Sequence, residues 1–245
     1  MKIIVVKDYQ AMSDLGAEII ANTIKANPSC TLGLATGSSP IGTYQNLVKA
    51  YENKEISFKD VKTYNLDEYC GISRSHPQSY YYFMHDNLFN HVDILEENVH
   101  VPMISNTSLE KDCKAYNDML NKVTIDLQLL GIGGNGHIGF NEPGTPFSQE
   151  TFIVKLTDKT RQDNKRFFNS IDEVPTHAIT MGLKSILAGK RIVLIATGKN
   201  KAIAIKRLFE EGETTDLPAS VLKEHPNVTI YCDEDAASLL EKVGA

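Results

Sequence analysis

The chain has 245 residues, 42% of them hydrophobic and 23% charged, proportions that suit one large soluble α/β domain and fall short of two. A formal net charge of −6 leaves no global basic footprint for nucleic acid, and the longest apolar runs, such as 191–197, are far too short to span a bilayer. The four cysteines (Cys30, Cys70, Cys113 and Cys232) lack metal-ligand spacing, and residues 1–6 open a strand rather than a signal peptide, which together predict a cytoplasmic enzyme with reduced thiols and no structural zinc.

Strand and helix patterns alternate along nearly the whole chain. Residues 2–6 read as a strand and 11–26 as an amphipathic helix. A strand at 31–35 leads to a helix over 40–52, with Pro40 in its first turn. A strand at 61–65 precedes an irregular segment containing Gly71, His76 and Pro77, and the aromatic-rich stretch 79–90 reads as a helix packed on the core. A helix at 109–122, a strand at 125–130, a short strand at 153–156 and helical charge spacing over 158–168 follow. Strands at 178–181, 191–196 and 228–231, with helices at 201–211 and 234–243, complete the order. This alternation predicts a single-domain α/β fold, with a mostly parallel open sheet and helices on both faces in a modified Rossmann-like arrangement.

Open α/β sheets bind ligands beyond the carboxyl ends of their strands, so the strand-to-helix junctions carry the functional information. At 33–40, GLATGSSP, Gly37 permits a sharp turn, Ser39 can cap the next helix and Pro40 fits its first turn. Free amides and the helix dipole there favour an anion, most often phosphate, although a plain cap without ligand has the same sequence. At 195–201, IATGKNK, Lys199 and Lys201 oppose the dipole of the helix they precede, which suggests either an anion between them or solvated lysines. At 65–71, NLDEYCG, the adjacent acids Asp67 and Glu68 form a solvated turn or supply one base, since neighbours on extended chain face opposite ways.

The most informative segment is 131–143, GIGGNGHIGFNEP. It follows an apolar strand and sets His137 and Glu142 five positions apart on a glycine-rich turn, the makeup of a general acid/base with an orienting carboxylate. Gly131, Gly133 and Gly136 satisfy the dinucleotide fingerprint literally, but the turn runs into HIGFNEPG instead of starting a helix. A structural turn around a packed histidine is the plainer alternative. Two phosphate-type loops, a carboxylate and a His/Glu pair together suggest an enzyme acting on a phosphorylated metabolite, with no metal ligands at recognisable spacing.

Four motifs in order, LGLATGSSP at 32–40, NLDEY at 65–69, HPQSYYYFM at 76–84 and GIGGNGHIGFNEP at 131–143, closely resemble the glucosamine-6-phosphate deaminase family, and the likeness runs from the first strand to the last helix. The resemblance implies conversion of glucosamine 6-phosphate and water to fructose 6-phosphate and ammonia, in amino-sugar breakdown, with no metal or organic cofactor. It implies that Asp67 is the base moving a proton between C2 and C1, and that His137 opens the sugar ring. Glu142 and Asn135 are implied as supporting partners of His137, and Gly37, Ser38, Ser39, Arg166 and Lys201 as the phosphate pocket. The planar fork of Arg166 suits phosphate. A segment at about 151–174 is implied to be an active-site lid carrying Arg166, so that closure and phosphate capture are coupled.

Departures from the family's pattern matter. Many relatives have Asp at the position of Asn135; an amide can orient an imidazole but cannot stabilise an imidazolium through charge. Enterobacterial relatives carry a basic cluster after the Asn-Glu-Pro motif and a longer C-terminal tail, whereas 148–155 here has one lysine. This predicts a monomer or small homo-oligomer without an allosteric N-acetylglucosamine 6-phosphate site, and no nucleic-acid or membrane partner. The rival enzyme is 6-phosphogluconolactonase, whose family follows the loop histidine with a different sequence and has Asp-Glu-Arg where Asp67, Glu68 and Tyr69 stand. The rival binding module is the sugar-phosphate-sensing domain of transcription regulators, which carries a helix-turn-helix ahead of a strand that here begins at Lys2.

Overall fold

The computed structural model describes residues 1–105 and 107–240, apart from the side chains of Asp163 and Phe167. Ten strands are described: β1 (Lys2–Val6), β2 (Thr31–Leu34), β3 (Lys62–Asn65), β4 (Asp67–Tyr69), β5 (Val99–His100), β6 (Leu127–Leu130), β7 (Phe152–Lys155), β8 (His177–Thr180), β9 (Ile192–Ala196) and β10 (Val228–Asp233). The described helices are α1 (Tyr9–Ala26), α2 (Ile41–Glu52), α3 (Tyr80–Asn87), α4 (Leu109–Leu120), α5 (Asp158–Asn164), α6 (Leu183–Leu187) and α7 (Ala202–Glu210).

Seven strands form one sheet in the order β1-β10-β9-β6-β2-β3-β5, and every pairing in it is parallel. Alternate side chains feed two cores: Ile192, Leu194 and Ala196 of β9 pack with α4, α6 and α7, while Val193 and Ile195 pack with α1, α2 and α3. A strand buried on both faces needs an unbroken apolar run, which is why β9 is so legible in the sequence, whereas β6 breaks its run with the buried Gln128. The predicted α/β sheet with helices on both faces is the observed one.

Three predicted or overlooked segments depart from that sheet. The expected strands at 153–156 and 178–181 form β7 and β8 of a separate antiparallel sheet of order β4-β8-β7, whose third member lies in what read as irregular chain. Pairing of Asp67 with Thr180 spans more than a hundred positions, so no local pattern announces it. Pro40 is the N-cap of α2 rather than a residue of its first turn, and Ser39 makes no capping hydrogen bond. At the end of the chain, 234–239 forms hydrogen-bonded turns, and the rest of the expected helix at 234–243 lies outside the described residues past 240.

Candidate active site

The carboxyl ends of β2, β3, β6 and β9 open into one cavity of about 550 Å³, lined by 35–39, Asp67, Tyr80, the 131–140 loop, Thr197 and Lys201. Residues of α5 and the turn after it (Lys159, Thr160, Asn164 and Arg166) close its wall. Of the nine predicted site residues, eight line this cavity and the ninth, Glu142, stands behind His137.

The 131–142 loop is folded around the imidazole. The Gly133 amide donates to the His137 carbonyl at 2.8 Å, and Gly136 turns at φ +84°. A Cβ on Gly133 would lie 2.2 Å from His137 Cε1, so the bare glycine is what allows the ring to sit against the turn. His137 Nδ1 lies 3.6 Å from Glu142 Oε2, an ion-pair distance too long for a hydrogen bond. Asn135 does not orient the ring directly, contrary to expectation. Its amide donates from Nδ2 to Glu142 Oε2 at 2.8 Å, while its Oδ1 accepts the His137 backbone N–H at 3.2 Å. Thr160 Oγ1 donates to the other oxygen, Glu142 Oε1, at 2.5 Å. Burial raises the Glu142 carboxyl, but the charge and proximity of His137 with the Thr160 and Asn135 donors outweigh it and bring it down to about 2. Glu142 is therefore a fixed anion beside the imidazole.

Asp67 and Glu68 have parted company. The Asp67 carboxylate faces the cavity, is 6% exposed and accepts no hydrogen bond among the described residues. Burial, and secondarily the Glu68 charge, push it up to about 8. A Cβ at Gly139 would come within 3.5 Å of Asp67 Oδ2, so the loop passes close above it. Glu68 points the other way and accepts the backbone N–H groups of Tyr69, Tyr80 and Tyr81 at 2.8–2.9 Å, capping α3. Beside them Phe140 stacks on Tyr80 with ring centroids 6.1 Å apart.

The remaining wall suits an oxyanion. Gly37 has φ +98°, and the hydroxyl of Ser39 stands 3.5 Å from that of Thr197, both at strand ends. Ser39 makes no capping hydrogen bond; its hydroxyl pairs with that of Thr197 on the cavity wall instead. Arg166 and Lys201 bring two cations to the same cavity. Lys199 does not join them: it faces Asp235 at 4.0 Å, a partner the sequence spacing could not reveal. Lys159, Thr160, Asn164, Thr197 and Asn200 line the cavity without having been predicted. Thr160 had a signal of its own, the Thr157-x-x-Thr160 cap that starts α5. Among the described residues, no group of three or more His, Cys, Asp or Glu side chains is placed to hold a metal ion.

Anion-suited turns with two cations, a shielded carboxylate and an imidazole beside an acid at the strand ends of a parallel sheet define an enzyme-like site for a small phosphorylated compound. The model of the family of glucosamine-6-phosphate isomerases and 6-phosphogluconolactonases matches residues 8–231, and the chain belongs to that family. Within it, the chain is 53% identical to a glucosamine-6-phosphate deaminase of Thermoanaerobacter pseudethanolicus over 98% of its own length and 95% of the relative's. A solved monomeric glucosamine-6-phosphate deaminase superposes with a TM-score of 0.96 at 45% identity, covering 98% of this chain and 100% of that one. A 6-phosphogluconolactonase from Trypanosoma brucei shares the fold, with a TM-score of 0.81 at 19% identity over 98% of each chain.

Proposed function

We propose that the chain converts glucosamine 6-phosphate and water to fructose 6-phosphate and ammonia. The observation that carries this reading is the buried Asp67 carboxylate, which accepts no hydrogen bond among the described residues and faces the same cavity as the Glu142-backed imidazole. An aldose-to-ketose shift needs a base at a carbon-bound proton and a second acid/base at the ring oxygen, because one group cannot reach both.

In this reading the phosphoryl group binds to Gly37, Ser38, Ser39, Arg166 and Lys201 and fixes the reacting carbons. His137 moves the protons that open the pyranose ring, with Glu142 and Asn135 holding it for that task. Asp67 then takes the C2 proton and returns it at C1, and water hydrolyses the resulting C2 imine to release ammonia. The substrate's own ammonium group, arriving beside Asp67, draws the carboxyl back toward its ionised form. Lactone hydrolysis, the rival chemistry of the fold, removes no proton from carbon and leaves Asp67 without a task.

The finer parts of the reading follow from the same residues. Residues 1–245 form one domain, and 151–174 acts as a lid, since α5 and Arg166 lie on it and line the cavity. The segment 148–155 has no basic cluster, which favours a monomer or small oligomer without activation by N-acetylglucosamine 6-phosphate. No helix among the described residues is long and apolar enough to cross a membrane, and the four cysteines are unpaired, in keeping with a cytoplasmic place of work.

The test is release of fructose 6-phosphate and ammonia from glucosamine 6-phosphate, with a chelator present, by the wild type and Asp67→Asn. Equimolar release that the substitution lowers about 10²-fold or more is expected, the scale of a lost general base. A folded wild type that releases neither product but hydrolyses 6-phosphogluconolactone would reverse the assignment.

A further inference from the structure

Glu142 is held from two sides. Asn135, on its own loop, donates to Oε2 at 2.8 Å, and Thr160, on α5, donates to Oε1 at 2.5 Å. Thr160 and Glu142 are both buried, at 6% and 7% exposure. The direction of the second bond is fixed. Thr157 Oγ1 accepts the Thr160 amide at 3.1 Å and gives its own proton to Thr160 Oγ1 at 2.9 Å. Thr160 has one hydroxyl proton left to give, and an ionised carboxylate can only accept. The N-cap of α5 thus becomes the start of a chain of aligned hydrogen bonds that ends on the carboxylate beside His137.

The same helix supplies cavity wall. Lys159 and Asn164 line the cavity from α5, and Arg166 follows in the 3-10 turn Lys165–Phe167 that continues the helix without a break. A movement of α5 that carries Arg166 toward or away from an anion therefore also makes or breaks the Thr160 bond to Glu142. A hydroxyl that served only to fill space here would be replaceable by a methyl group; the carboxylate oxygen opposite it would then be buried without a donor.

We infer that Thr160 is a positioning residue that ties α5, and Arg166 with it, to the Glu142–His137 pair, so that capture of a phosphoryl group sets the imidazole. For its substrate the inference rests on the sugar-phosphate reading above; the coupling itself is a property of the helix and its bonds. Linkage makes the effect reciprocal: an imidazole set by the helix favours the helix position that holds the anion.

The experiment follows the ring nitrogen signals of His137 by NMR as inorganic phosphate is added to the wild type, Thr160→Val and Thr160→Ser, beside steady-state kinetics on glucosamine 6-phosphate. Phosphate should move the His137 signals in the wild type and in Thr160→Ser but not in Thr160→Val. In Thr160→Val, kcat should fall about tenfold, the scale of a lost supporting partner, with KM within about threefold, and serine should restore it. His137 signals that respond alike in Thr160→Val and wild type overturn the coupling, and so does a wild type whose signals ignore phosphate. The expected NMR pattern without any ammonia release would sink the deaminase reading and leave the coupling standing. Should Thr160→Val not fold, Thr160→Ala carries the same expectations.

Discussion

Asp67 and Glu68 are consecutive residues of one three-residue strand, and their carboxylates do opposite work. Asp67 faces the cavity with no hydrogen bond among the described residues, whereas Glu68 accepts three backbone N–H groups and closes the start of α3. The alternation of an extended chain is what separates them. One strand thus turns one carboxylate to the cavity and anchors a helix with the next.

That division predicts opposite outcomes from two amide substitutions. Asp67 is pushed up to about 8 by burial and by the Glu68 charge. A folded value above the unfolded one, near ~3.9, means that the folded chain keeps a proton the unfolded chain has already lost. The associated stability is complete below about pH 4 and drains away as pH rises to about 8. Asn at position 67 has no charge to bury, so Asp67→Asn should match the wild-type Tm near pH 4 and exceed it by about 5 °C or more above pH 8. Glu68→Gln should instead lower stability by about 2 kcal/mol, because its NH2 group would face backbone donors. Turnover per folded molecule should survive in Glu68→Gln and collapse in Asp67→Asn. Thermal melts across pH 4–9 with parallel assays decide it, and equal Tm differences at both ends would remove the buried-base account of Asp67.

Gly133 offers a test of how closely the imidazole must be placed. A Cβ there would stand 2.2–2.4 Å from three ring atoms of His137, so Gly133→Ala forces the ring off its seat. The residue is buried in its turn but belongs to neither hydrophobic core, so the fold should hold. A displacement of about 1 Å in a reacting group can cost about 10²-fold, and kcat should fall by that order with KM little changed. Unaltered kcat in a folded Gly133→Ala protein would show that the ring position is not what limits turnover.

Much of this site was legible before the fold was known, and the reason is local chemistry. The 131–143 loop must turn sharply, make room for a ring and present an acid, and glycine, histidine and glutamate at fixed offsets encode all three. Strands buried on both faces, such as β9, announce themselves as apolar runs. What stayed hidden depends on distant partners. The β4-β8-β7 sheet requires Asp67 to find Thr180, and nothing in DEY resembles a buried strand. Lys199 reads equally as an anion ligand or a solvated lysine until Asp235 is placed beside its exposed ammonium. Thr160 lies within the helical spacing of 158–168 with no role marked until α5 folds over Glu142. Asn135 shows the same limit: its identity suggested contact with the imidazole, but the fold gives that amide to Glu142.

The phosphate end makes its own prediction through Arg166. It reaches the cavity from the turn after α5, in the same chamber as Lys201 and the Ser38–Ser39 hydroxyls. A guanidinium grips two phosphate oxygens with a rigid fork, while an ammonium at the same place keeps the charge and loses the geometry. Arg166→Lys should therefore raise KM for glucosamine 6-phosphate about tenfold, one charge-assisted hydrogen bond's worth of binding. Part of the loss should appear in kcat, because binding energy from a remote group is used to orient the reacting carbons. Glucosamine without its phosphate supplies the control: it has nothing for Arg166 to hold, so wild type and variant should process it equally slowly. Steady-state comparison of both sugars separates the two roles open to Arg166. A loss confined to the phosphorylated sugar places the side chain on the phosphoryl group, and an equal loss on both would make it a support of the α5 turn instead.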